Sequence, residues 1–412
     1  MEFKFRVLHA QDSGSAGGTN TAPANGGQAH AVAQKSVQNT INTQNMGSEN
    51  RRRLSPAIFS ENSVIPVDIP IDTCIKRMPI EGVIAFTATY ASGTPLLSPM
   101  GAISRLVPSF SVVADGSRYV KTLDLYVYRC LMALAYEGFQ RRATNNDANL
   151  ASTRQATTEW VSGTSAYPAT TESIVIRETI DIAFENYFAY NLGRDITQLY
   201  TANLSTCKAF FNCGAVGNLN QDGNSAAVTY SDVDISFTPT IVENRQGGLA
   251  NNAFDFVETV TVAQYSQQVR QQAFQLNTGN KLVGIGMFVQ NGDTNKSPCD
   301  FALQGVNLKV NGSQDLYNGT FQELQDDNKG RFGVSDDQYA SGKHGLQGFA
   351  YLNLLKGGDI RTGVSTKLSD GVSQIQLYLT TAASSGIDAA TYTNPVQISV
   401  LQQQMIEVPV KQ

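Results

Sequence analysis

Two stretches of this chain echo each other across a distance far too long for a solenoid, and any fold must accommodate that self-similarity. Gly193-Arg194-Asp195-Ile196-Thr197 leads to Leu204-Ser205, and Gly357-Gly358-Asp359-Ile360-Arg361 leads to Leu368-Ser369. The gap from Asp to Leu is nine residues in both. Each copy follows an aliphatic and aromatic run (182–192; 349–355) and precedes a strand-like one (208–211; 373–379). Upstream of each, a strand runs into a hairpin turn: Val112-Val113-Ala114-Asp115-Gly116-Ser117 and Leu308-Lys309-Val310-Asn311-Gly312-Ser313. The Asp-Ile pair recurs after 164 residues and the Gly-Ser turn after 196, so the first copy holds 32 more between these landmarks. The polar segment 140–171 is the natural place for them. One domain used twice, with one insertion, accounts for all four landmarks.

The coarse reading along the chain agrees. Residues 1–62 read as a flexible arm, Gly/Ala/Asn-rich and then Gln/Asn-rich, with too little apolar surface to offset its ordering entropy. Arg51-Arg52-Arg53 ends that arm. It is either a solvated charge run or a contact with phosphates of lipid or nucleic acid. The first unit spans 63–242, a Gly/Asn-rich linker 243–252, and the second unit 253–412. Alternation or β-branched composition predicts strands near 64–71, 79–92, 172–185, 208–213, 226–230 and 233–240. In the second unit it predicts them near 254–265, 281–290, 346–355, 373–380 and 396–400. Asp-Gly supplies the positive φ values of a tight hairpin within 109–123, and 308–317 repeats the pattern. Helical spacing takes over in the second half of 122–139, and 321–328 is a short helical or loop piece. Many short strands with frequent turn signals indicate a sandwich or barrel.

Charge and composition narrow the function classes. Charged residues are only 16 %, against roughly 25 % in ordinary soluble proteins. Polarity comes instead from 30 Asn and 30 Gln. Amides are buried at subunit contacts more cheaply than unpaired charges. The net charge is −5, with residues 1–62 at +2, so a dedicated nucleic-acid binder with a basic stripe is not indicated. Five scattered cysteines argue for reduced, packed thiols. No signal peptide and no apolar run of ~18 residues is visible.

Catalytic equipment is thin. Of the three histidines, His9 and His30 fall in the arm and His344 in a Gly/Ser/Lys loop. A catalytic base needs a rigid surround, which the arm does not offer. There is no nucleophile elbow, phosphate loop or complete dinucleotide fingerprint, and no zinc or calcium spacing. Asp326-Asp327 and Asp336-Asp337 read as solvated loop acids. Asp195 and Asp359 read as turn or helix caps rather than a carboxylate pair. The expectation is a non-enzyme with no cofactor and no metal.

Two consecutive sandwich units, each with the hairpin and the aromatic-strand/Gly-x-Asp-Ile/Leu-Ser/strand run, resemble the double jelly-roll major capsid proteins of tailless icosahedral viruses. These include lipid-containing bacteriophages and adenovirus-like viruses. The resemblance covers about residues 64–412. It implies an all-β fold of two tandem eight-stranded jelly rolls with short helices in loops and a flexible N-terminal arm. It also implies a loop after the aromatic strand, carrying Asp195-Ile196 and Asp359-Ile360. A homotrimer would present a pseudo-hexagonal capsomer and tile a virion shell. The chain itself, penton or minor capsid proteins, and inner-membrane lipids or genome reached through the arm (Arg51, Arg52, Arg53) are the implied partners. Assembly would take place in the host cytoplasm. A tandem β-sandwich adhesin or carbohydrate binder, with Trp160 as its tempting anchor, is the main alternative, and an all-β hydrolase the third.

Overall fold

The computed structural model describes residues 50–90, 101–135, 158–162, 171–189, 196–202, 204–219, 228–243, 254–265, 271–290, 298–334, 346–382 and 395–407. Asp195, the histidines, Asp336-Asp337, most of the 140–171 insertion and the 244–252 linker lie outside them.

Sixteen strands carry the architecture. The first eight are β1 (Asn50–Arg53), β2 (Val64–Asp68), β3 (Cys74–Tyr90), β4 (Ser109–Ala114), β5 (Arg118–Asp124), β6 (Thr171–Ala183), β7 (Cys207–Asn212) and β8 (Val228–Glu243). The second eight are β9 (Phe254–Tyr265), β10 (Gln272–Gln275), β11 (Lys281–Gln290), β12 (Leu303–Val310), β13 (Gln314–Thr320), β14 (Phe349–Asn353), β15 (Ile375–Thr381) and β16 (Val396–Glu407). In the first set, neighbours run β1-β8-β3-β6 in one sheet and β2-β7-β4-β5 in the other. In the second set they run β9-β16-β11-β14 and β10-β15-β12-β13. Each strand of the first set therefore has its counterpart eight places on, and the fold is two tandem jelly rolls. Thr158–Ser162, inside the insertion, adds a further strand beside β6.

The correspondence holds residue by residue. In β8, a register shift at Val242/Glu243 skips Lys76 of β3; in β16, the shift between Leu282 and Gly284 skips Val283 of β11. Lys76 and Val283 lie 207 apart. The same offset carries β2 onto β10 through their pairings with β7 and β15. It also carries β1 onto β9, since Arg51 pairs with Val242 and Glu258 with Gln403. This corrects the expected domain boundary. Residues 50–62 are not the end of an arm: β1 is the first strand of the first jelly roll, Phe59 N donates to Ile235 O at 2.9 Å, and the Phe59 ring meets Phe237 edge-on at 6.3 Å. The two strands expected over 226–240 are one, bent where Asp232 takes φ 49°.

Local chemistry explains the elements. Asp115 (φ 51°) with Gly116 (φ 77°), and Asn311 (φ 52°) with Gly312 (φ 71°), turn the two hairpins in the left-handed conformation that Asp, Asn and Gly tolerate. Alternation along β3 buries Met78, Ile80, Ile84, Phe86 and Ala88 on one face. A short helix, α1 (Ala102–Leu106), precedes the first hairpin, and a helix directly follows each hairpin: α2 (Leu125–Ala135) the first and α3 (Phe321–Phe332) the second. Asp124 starts α2 by accepting from Tyr126 N at 2.9 Å. Thr320 and Glu323 form a reciprocal capping box on α3, which ends at Gly333 (φ 62°).

The rolls are joined by more than a linker. β5 of the first pairs in parallel with β9 of the second, Lys121 opposite Glu258 and Thr122 opposite Thr259. One nine-stranded sheet thus runs through both rolls. The first roll's apolar core extends without a break to Phe288, Phe349, Tyr351 and Leu401 of the second.

Candidate assembly interface

The seam between the rolls holds a chain of buried polar groups. Lys121 is fully buried and its Nζ donates to Glu258 Oε2 at 2.5 Å. Glu258 Oε1 accepts from Gln403 Nε2 at 2.6 Å, and Gln403 Oε1 accepts from the Tyr351 hydroxyl at 2.6 Å. The ammonium also lies 4.5 Å from the centroid of the Phe256 ring. Burial pushes the Lys121 pKa down, opposed by the Glu258 charge. Tyr351 is pushed well up by burial and by Glu258. Phe188 stacks on Tyr351 at 4.2 Å and meets Phe332 of α3 at 5.2 Å. At the rim, Arg118 bonds Asp255. α2 lies at this seam, buried on nearly every side, with Tyr126 against Phe288 at 5.1 Å.

Sequence reasoning missed this network. Nothing near Lys121 in the chain marks it as buried; its strand alternates, and the face that should meet solvent is covered by the other roll.

The expected site residues other than Asp195, which lies outside the described residues, fall as follows. Arg52 of β1 bonds Glu243 at 2.8 Å and Asp72 at 3.1 Å, and Arg53 lies 3.8 Å from Glu81. Arg51 is exposed and has no ion-pair partner among the described residues. The isoleucines of the repeated motif converge: Ile360 is buried with Ala189, Phe256, Val283, Leu355 and Met405, and Ile196 packs on that cluster. Asp359 caps a short turn by accepting from Arg361 N at 3.0 Å. The Arg361 guanidinium, then its backbone N–H, hold the Asp359 carboxyl down at about 2.

The Leu-Ser half of the motif needs correction. Asp115 Oδ1 accepts from Ser205 N at 2.7 Å and Ser205 Oγ at 2.9 Å. Asn311 Oδ1 accepts from Ser373 N at 2.9 Å and Ser373 Oγ at 3.0 Å. The counterpart of Leu204-Ser205 is therefore Val372-Ser373, not Leu368-Ser369. Leu368 is 77 % exposed where Leu204 is 8 %. The physical reason is extra length in the second roll: Ser373 follows Asp359 by 14 residues where Ser205 follows Asp195 by 10, and most of the difference is taken up by the turn Leu368–Asp370 with Gly371. A second mirrored bond set lies upstream: Thr201 clasps Thr73 and Thr366 clasps Asn280, each through backbone and hydroxyl.

Among the described residues no group of three or more His, Cys, Asp or Glu is placed to hold a metal ion, and no helix is long and apolar enough to cross a membrane. All five cysteines are buried and none is in a disulfide.

No protein-family model matches the chain, and no curated protein matches it in sequence. Solved structures do match. A chain of the atomic structure of Sulfolobus Turreted Icosahedral Virus is 13 % identical over 88 % of this chain and 92 % of that one, with a TM-score of 0.59. The crystal structure of the STIV MCP gives 13 %, 88 % and 98 %, with a TM-score of 0.56. VP54 of PBCV-1, fitted into a reconstruction of the virophage Sputnik, gives 11 %, 87 % and 93 %, with a TM-score of 0.52. The fold is that of the double jelly-roll major capsid proteins of tailless icosahedral viruses.

Proposed function

We propose that this protein is a structural major capsid protein, not an enzyme, and that three copies form a pseudo-hexagonal capsomer of an icosahedral shell. One observation carries the reading: the two rolls repeat each other down to the same skipped residue, Lys76 and Val283. Two equivalent rolls per chain make a trimer nearly six-fold, the outline that tiles a closed surface. The likeness to chains of icosahedral viruses supports the same reading. Penton or minor capsid proteins are its further partners, membrane lipids or genome are reached through the N-terminal arm, and assembly takes place in the host cytoplasm. The two large exposed aromatic side chains among the described residues, Tyr119 and Phe301, belong to different rolls and do not favour a carbohydrate platform.

Light scattering on the purified chain tests this. The expected result is three times the monomer mass, with three-fold particles of hexagonal outline in negative-stain images. A monodisperse monomer at micromolar concentration contradicts it.

A further inference from the structure

The seam inside one chain is a template for the seam between chains. It joins the outer edge of β5 in the first roll to the outer edge of β9 in the second. The counterparts of these edges are β13 and β1. Among the described residues neither has a strand on its outer side. We propose that β13 (Gln314–Thr320) of one copy pairs in parallel with β1 (Asn50–Arg53) of the next, with Tyr317 opposite Arg51 and Asn318 opposite Arg52. This inference rests on the capsomer reading above and names the contact that builds it.

The register follows from the hairpin pairings within each roll. β4 places Val112 opposite Lys121, and β12 places Leu308 opposite Tyr317; the next residue of each pair is shifted by a bulge at the same place, Val120 and Leu316. Tyr317 is thus the counterpart of Lys121, and Arg51 that of Glu258. In the trimer proposed above, repeating the internal contact at each junction alternates internal and external seams and leaves neither kind of edge open. An unpaired edge strand invites indiscriminate pairing, so closure has a physical premium.

Charge favours this partner. β1 presents three arginines, of which Arg51 has no ion-pair partner among the described residues. Around Tyr317, Glu323 and Asp327 lie close enough to add to the effect of burial in pushing its phenol up. Asp327 is exposed. Arginine from one copy therefore meets an aromatic ring and carboxylates from the next. The wrong pairing is disfavoured, since β1 laid along β5 would set Arg51 against Lys121.

Disulfide trapping in the full chain tests the contact. The native thiols are all buried, so background linkage is low. Arg51→Cys with Tyr317→Cys should, after mild oxidation, give a covalent trimer on a non-reducing gel. Arg51→Cys with Tyr119→Cys, on the strand already used inside the chain, should give none. A wild-type trimer by light scattering whose Arg51/Tyr317 variant folds but does not link overturns this seam and leaves the trimer standing. A wild-type monomer overturns both. Should the double variant misfold, amide exchange of the unaltered protein decides. Slow exchange across Leu316–Thr320 supports the pairing, and exchange as fast as at an open edge refutes it.

Discussion

Lys121 and Glu258 face each other with no access to water, so each depends on the other for its charge. Breaking one side of a buried pair strands the other, at a cost of about 3–5 kcal/mol. Lys121→Met should lower stability by that amount, read from chemical denaturation, and adding Glu258→Gln should recover most of it. Asp115 makes a different kind of prediction. Its carboxyl is held below the usual 3.8, first by the Ser205 backbone N–H, then by the Ser205 hydroxyl and Arg118, against a partial opposing effect of burial. A depressed folded pKa means that the stabilisation is present above the unfolded value and is lost as pH falls through the folded one. Asp115→Asn should keep the turn, because Asn311 makes the same contacts in the second roll without a charge. Thermal midpoints measured between pH 2 and 6 should therefore fall less steeply on acidification in that variant; an unchanged slope would exclude Asp115 as a source of acid sensitivity.

At the scale of elements, β11 shows why composition can mislead. Eight of its ten residues are buried in succession, so it has no solvent face and no alternation to read. Its glycines are there for space: a Cβ on Gly284 would lie 1.9 Å from the Tyr351 hydroxyl oxygen and 2.8 Å from Gln403 Oε1. Gly284→Ala should cost about 1–3 kcal/mol through this overpacking. Gly330, inside α3 with open space around it, should behave oppositely, and Gly330→Ala should stabilise by about 0.4–1 kcal/mol. Denaturation midpoints of the two variants on opposite sides of the wild type would verify both. The sequence reading found β11 as an apolar run and α2 by its helical spacing. It did not find that α2 of one roll helps to cover β11 of the other, since that contact, Tyr126 with Phe288, spans 162 residues.

For the whole molecule, the continuous sheet and shared apolar core have a thermodynamic consequence. Neither roll can unfold without exposing the seam, so the pair should melt as one cooperative unit despite a length typical of two domains. Calorimetry should show a single endotherm for the wild type; two resolved transitions would mean that the seam does not couple the rolls. The Leu368-Ser369 mismatch belongs here too. A short repeat aligned by identity slid four residues, because the second roll carries an extra turn there, and hydrogen-bond partners rather than letters established the true equivalence.

What could be read from the chain alone was whatever a few neighbouring residues decide. Asp115-Gly116 and Asn311-Gly312 specify turns by their tolerance of positive φ, and period-two burial marks β3 and β15. From these came the doubled sandwich. What only the tertiary structure decided was which edges meet. Arg51-Arg52-Arg53 carries no apolar alternation, and its place as a strand comes from the backbone of Thr240–Glu243, nearly two hundred residues away. Lys121 reads as a surface lysine until Glu258, on a strand of the other roll, takes it out of water. Backbone pairing and burial at long separation depend on the partner that arrives, and no local pattern encodes that partner.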